Sequence, residues 1–294
     1  MRIAPTFILL PALLAAALPL AAQNDCTVGH LPDDSHEAEI FRIRGAATAF
    51  GRAIAPSAYH PGATVLLMEF TTLQTIDSAT ATPTYCRAGK PDENVNLMPV
   101  LPRPRVIFST VDGITVEASW IPPITINDVK ANIFGLAIAR TVEAGPGVLS
   151  MRAAATLGEI RAPITCTEKQ IAVDPGDTGN PDYSECAGGA EPSSDHYKPN
   201  SFSFDLTYGW TLAEGRFRPY IGGGANFLRP RFQVDFVDQF DVHKDQKIET
   251  NMTRPAFFGG VTWAPLSQFG VTGEYYADPG TAWTARFSLA YILK

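Results

Sequence analysis

The sequence predicts an all-β protein: an antiparallel transmembrane β-barrel of about ten strands (8–12), preceded by an N-terminal amphipathic helix. Two observations carry this reading. Hydrophobicity alternates with period two along segments long enough to cross a bilayer, and the connections alternate between tight turns and long loops, as in outer-membrane barrels. The 24 glycines and 24 prolines also argue against a mostly helical chain.

The first residues read as an address. Arg2 is positive, Thr6 to Leu20 is apolar but for Pro11 and Pro19, and the small Ala21 and Ala22 precede Gln23. This is the pattern of a secretory signal peptide over residues 1–22. The apolar run is shorter than the ~20 residues of a spanning helix. Asn24 and Asp25 separate Cys26 from the small residues, which argues against lipidation.

Residues 23–61 form a separate N-terminal segment. Asp34 and Glu37 resemble a capping box, Ile40, Ala47, Phe50 and Ile54 recur at helical spacing, and Pro56 closes the pattern. A helix is expected over 35–53, rich in Gly45, Ala46, Ala47, Ala49 and Gly51. Eighteen helical residues span ~27 Å, close to the thickness of a bilayer core. The segment is therefore expected to plug the lumen, carrying Arg42, Arg44 and Arg52 inward. The alternative is a helix in the periplasm or on the membrane surface.

Residues 62–294 are expected to form the barrel. Strands fall near 63–73, 103–111, 114–122, 129–142, 147–161, 201–213, 217–234, 254–264, 269–278 and 281–293. In Ser201 to Leu212, Phe202, Phe204, Leu206, Tyr208, Trp210 and Leu212 share one face, and Ser203, Asp205 and Thr207 the other. Trp283, Ala285, Phe287, Leu289, Tyr291 and Leu293 repeat the pattern. Trp120, Phe202, Trp210, Phe217, Trp263, Phe269, Tyr275, Trp283 and Tyr291 stand near strand ends on the apolar face, as an interfacial girdle would. Tight turns are expected at Asp112-Gly113, Glu143 to Pro146, Glu214 to Arg216 and Pro265 to Gln268, and long loops at 74–102, 162–200 and 235–253.

A resemblance follows from these residues. Arg218-Pro219-Tyr220-Ile221-Gly222-Gly223-Gly224-Ala225-Asn226-Phe227 resembles the PYxGxGxG strand of small bacterial outer-membrane β-barrel proteins. The last strand, with Phe287, Leu289, Tyr291 and Leu293, is similar to their C-terminal sorting strand. The resemblance covers the C-terminal third of the chain. It implies barrel architecture, membrane lipid and the barrel-assembly machinery as partners, and a bacterial outer-membrane location. It implies no activity.

If the bulky faces meet lipid, the opposite faces line the lumen. They carry Glu69, Glu117, Asp205 and Glu274 together with Arg152, Arg218 and Arg286. These charges either filter solutes or neutralise one another in a narrow barrel. On β-strand parity Phe134, Leu136 and Ile138 face lipid, and Ala131, Gly135, Ala137 and Ala139 leave room inside. Four cysteines in an exported chain suit two disulfides, Cys166 with Cys186 and Cys26 with Cys86.

Other chemistry is poorly served. The net charge of −7 disfavours nucleic acid. His196 and His243 lie in loops with Ser193, Asp195, Asp241 and Asp245, a pattern more typical of solvated loop than of a catalytic site. The acidic loop from Asp174 to Asp195 does not follow an EF-hand spacing. No catalytic residue, metal site or cofactor is expected. The expected role is a narrow or plugged envelope barrel for passive transport of small-molecule solutes or for envelope structure. The alternatives are an outer-membrane enzyme with its site in the long loops, or a soluble exported β-sandwich that binds a partner.

Overall fold

In a computed structural model, the structure describes residues 29–57, 61–86, 92–110, 113–280 and 282–293. The expected signal peptide, Cys26, His60 and Asp112 lie outside the described residues.

Ten strands form the wall. They are β1 (Thr64–Thr72), β2 (Val100–Ser109), β3 (Ile114–Ile121), β4 (Val129–Ala144), β5 (Gly147–Ala162), β6 (Ser201–Trp210), β7 (Phe217–Leu228), β8 (Met252–Leu266), β9 (Phe269–Asp278) and β10 (Ala282–Leu293). Each pairs antiparallel with its neighbours in sequence. β10 closes the ring on β1, with Leu293 opposite Thr64 and Arg286 opposite Thr71. Closure leaves no sheet edge within the wall, the one β architecture whose backbone polar groups are all satisfied in lipid.

The side chains are sorted inside out. Leu66, Met68, Phe70, Phe134, Leu136, Ile138, Phe204, Leu206 and Phe287 are exposed on the outer surface, while Glu69, Arg103, Glu117, Arg152, Glu274 and Arg286 are buried. Such a surface suits hydrocarbon, not water. Aromatic pairs mark its upper border: Trp120 stacks on Phe134, Phe202 lies against Phe227, and Tyr275 stacks on Trp283. Phe217, Trp263 and Tyr291 lie at the other border, Phe217 facing Trp263 across the ladder. Phe217 and Phe227 are ten residues apart on β7, about 33 Å of strand, or roughly 25 Å of height at a 40° tilt. That is the height of a barrel's apolar band.

The connections fall as the pattern requires. Short connections follow β2, β4, β6 and β8 at one end, and long ones follow β1, β5 and β7 at the other. The sequence extends the seventh strand to 234, but β7 stops at Leu228, before Arg229 and Pro230. Arg231–Gln233 then forms a separate strand between Asp195–Lys198 and Lys247–Glu249, and Asp195–Lys198 pairs with the upper end of β5, so the long loops extend the wall sheet beyond the apolar band. The buried Asp195 carboxylate ties it together, accepting from the backbone N–H of Ile164 (3.1 Å), Thr165 (2.6 Å) and Asp235 (3.0 Å). The Cys166–Cys186 disulfide is closed. Cys86 is also disulfide-bonded.

Inside the ring lies α1 (His36–Thr48). Ser35, one residue after the expected cap, accepts from Ala38 N–H and starts the helix. Glu37 instead receives the backbone N–H groups of Tyr85 (3.0 Å) and Cys86 (2.8 Å) in the outer loop. The helix is shorter than 35–53 and is enclosed on most of its surface, so it presents no broad solvent face: Phe41, Ile43, Gly45, Ala46 and Ala47 are all buried. Its small residues make that enclosure possible. A Cβ on Gly45 would stand 2.9 Å from Leu228.

Candidate functional site, a filled lumen

After Thr48 the chain leaves the helix and descends the lumen as an irregular strap over residues 49–57. Its carbonyls point at the wall, and the wall answers with arginines. Arg103 donates to Thr48 O (2.7 Å) and Arg105 to Gly51 O (2.8 Å). Arg152 donates to Phe50 O (2.7 Å), and Arg286 to Ala46 O (3.3 Å) and Ala49 O (3.4 Å). Ala46 O and Thr48 O are among the orphan carbonyls of the helix C-terminus and Ala49 is its cap, so there the cations also stabilise the negative end of the helix dipole; Phe50 O and Gly51 O belong to the strap. Lower down, Ser288 donates to Ala53 O, and Ala55 N–H donates to Thr262 Oγ1 at 2.9 Å.

Phe50 is the centre of the arrangement. The residue is 1% exposed, and three guanidinium groups approach its ring centroid: Arg105 at 4.1 Å, Arg152 at 5.0 Å and Arg103 at 5.5 Å. Cation–π attraction at desolvated sites is worth about 2 kcal/mol or more. The space for the ring comes from β4 and β5, where Ala137 and Ala154 pack on it and a Cβ on Gly135 would stand 2.9 Å from it. Gly51 is required for a related reason: a Cβ there would collide with the Arg286 guanidinium.

Five guanidinium groups (Arg52, Arg103, Arg105, Arg152 and Arg286) share the lumen with four carboxylates (Glu69, Glu117, Asp205 and Glu274). Arg152 grips Glu117 through Nε (2.9 Å) and Nη2 (3.1 Å) and reaches Asp205 at 3.3 Å. Arg105 pairs with Glu69 and with Glu117 at 3.5 Å. Arg52 pairs with Asp205 at 3.1 Å, and Arg286 with Glu274 at 3.0 Å. Tyr220 donates to the second oxygen of Glu274 at 2.8 Å. Bidentate, charge-assisted contacts of this kind offset the desolvation of the ions they join. The near balance of signs leaves no single-sign field along the lumen.

The sequence-predicted residues divide accordingly. Glu69, Glu117, Arg152, Asp205, Glu274 and Arg286 meet in this network. Arg218 does not. It sits half-buried at the tight-turn mouth, donating to Gly215 O (3.1 Å) and Ser57 Oγ (3.4 Å), because β7 starts only one residue earlier. Of the three arginines expected to enter the lumen from the N-terminal segment, only Arg52, in the strap, meets a lumen acid. Arg44 is turned to the outer loop, on Gln74 O (3.0 Å) and Val95 O (2.8 Å), and Arg42 bonds Asp33 O at 3.0 Å. Sequence reasoning missed Arg103 and Arg105. The signal that finds them is parity: they share a face with buried Ile107, while Val106 and Phe108 face outward.

The loop residues are engaged elsewhere. His196 faces Glu159 at 3.1 Å and Asp235 at 3.5 Å, and His243 faces Asp235 at 2.8 Å. Ser193 Oγ bonds Asp195 at 2.8 Å. Among the described residues, no group of three His, Cys, Asp or Glu side chains is placed to hold a metal.

No protein-family model matches the chain, and no curated protein matches it. Solved structures do. The attachment invasion locus protein Ail of Yersinia pestis is 8% identical, with 79% of this chain and 99% of that one covered at a TM-score of 0.30. Neisserial surface protein A is 11% identical, covering 79% and 99% at 0.29. The translocator domain of the autotransporter NalP from Neisseria meningitidis is 9% identical, covering 87% and 96% at 0.41. The chain is similar to these outer-membrane barrels, and its own hydrogen-bond ladder makes it a closed ten-stranded antiparallel β-barrel.

Proposed function

We propose that this protein is a bacterial outer-membrane barrel held shut by its own N-terminal segment, a gated passive channel for small solutes. The observation that carries the reading is the clamp on Phe50 and the carbonyls around it. Four wall arginines hold the strap where a solute would otherwise pass. The apolar outer band supports membrane residence, and the extension of the wall sheet by the long loops supports an outward orientation for that end, with the tight turns in the periplasm. Opening then means withdrawing residues 36–57, after which the lumen arginines and carboxylates would line a polar path.

The test is single-channel conductance in planar bilayers. Deletion of residues 23–55 is expected to convert a closed protein into one with discrete, stable openings. A deleted barrel that keeps its heat-modifiable gel shift yet conducts no more than the full chain would overturn the gate. A purely structural envelope role would then be the better reading.

A further inference from the structure

Above the clamp, α1 and the outer loops enclose a second space, of about 140 Å³. Its walls are overwhelmingly apolar, with Ile40 and Phe41 from the helix, Leu97 and Met98 from the first long loop, Ile160 from β5 and Phe232 from the loop sheet. The charged side chains at its margin are Glu37, which accepts from the Tyr85 and Cys86 amides, Arg44, which donates to Gln74 O, Val95 O and Asn96 Oδ1, and Glu93. A neutral hydroxyl also faces the space. The Tyr197 side chain also lines the space, its residue is 7% exposed, and its hydroxyl has no hydrogen-bond partner among the described residues. Its ring packs on Phe41 at 5.7 Å, which fixes it in place. Burial pushes this phenol up, so it stays protonated and able to donate.

A buried hydroxyl without a partner asks for an explanation, and a ligand atom is one. A dry, apolar cavity of about 150 Å³ holds a molecule the size of benzene. Transfer of a charged ligand into so apolar a space would carry a heavy desolvation cost. We propose that the cavity binds an uncharged, mainly apolar small molecule of the size of a substituted benzene, with its single oxygen hydrogen-bonded to the Tyr197 hydroxyl. The site lies outside the clamp and does not depend on the lumen ever opening.

The experiment uses the full chain in lipid nanodiscs, with 4-fluorophenol and 4-fluorotoluene as probes followed by fluorine NMR. Both should bind saturably. Tyr197→Phe should weaken 4-fluorophenol about fivefold, the loss of one neutral hydrogen bond, and leave 4-fluorotoluene unchanged. Leu97→Trp, which fills the cavity, should abolish saturable binding of both; Met98→Trp repeats the test if the first variant loses its heat-modifiable shift. Unsaturable partitioning into the disc, or wild-type binding by a folded cavity-filling variant, overturns the site. Equal weakening of both probes by Tyr197→Phe overturns the hydrogen bond. Conductance of the plug-deleted barrel reports the gate and these titrations report the cavity, so either can fail alone.

Discussion

At the residue scale the lumen works because no charge in the network relies on one partner. Arg152 touches Glu117, Asp205, Phe50 O and Gly51 O at once. Arg152→Ala should leave two buried carboxylates short of a cation and cost about 3–5 kcal/mol, as for other broken buried pairs. The measurement is the temperature at which the heat-modifiable gel shift is lost, and an unchanged temperature would contradict the network. Arg152→Lys should not rescue it, because an ammonium cannot make the two-pronged contact to Glu117. This part of the site was only partly legible. Period-two alternation places Glu69, Glu117, Asp205 and Arg286 on the face opposite the apolar one. On β2 the same parity has to be carried up from Val106 and Phe108, past Pro102 and Pro104, to reach Arg103 and Arg105. It gives no distances, so Arg218 looked equivalent to Arg286 although one sits at the mouth and the other in the middle.

At the element scale the outer loops behave as a structured cap. The Cys166–Cys186 bond packs with Val234 and Phe236 of the next long loop, and its sequence separation is 20. A closed loop of that length is worth about 3 kcal/mol in the chain-entropy model. The effect should stay local, because the cap joins the barrel ladder through a short pairing at the upper end of β5, Ile160–Ala162 with Asp195–Tyr197, while the wall strands pair with one another along their length. Replacing both cysteines with serine should therefore speed protease cleavage between 174 and 190 while leaving the barrel's gel shift intact. Loss of the gel shift would show that cap and wall are one cooperative unit. The helix is the element the sequence read least well at its edges. Spacing marks its existence, but Ser35 rather than Asp34 caps it, and the pull of Arg103 and Arg286 on its last carbonyls ends it at Thr48. Those partners are distant in the chain and invisible to local propensity.

At the scale of the whole molecule, orientation follows from asymmetry. The long connections after β1, β5 and β7 lie at one end, and the short ones after β2, β4, β6 and β8 at the other. Protease added to intact cells should cut the exposed stretch around Gly176 and Gly179. Cleavage confined to the turns at Gly113 or Glu214-Gly215 would reverse the topology. The sequence by itself determined that a wall exists and roughly where each strand runs, because lipid outside and packed side chains inside impose a strict two-residue alternation. Loop lengths determined which ends lie together. Only the tertiary structure decided what fills the lumen. The clamp joins carbonyls of residues 46–51 to arginines 103, 105, 152 and 286, pairs with no common period, and closing the ring is what brings them within hydrogen-bond reach.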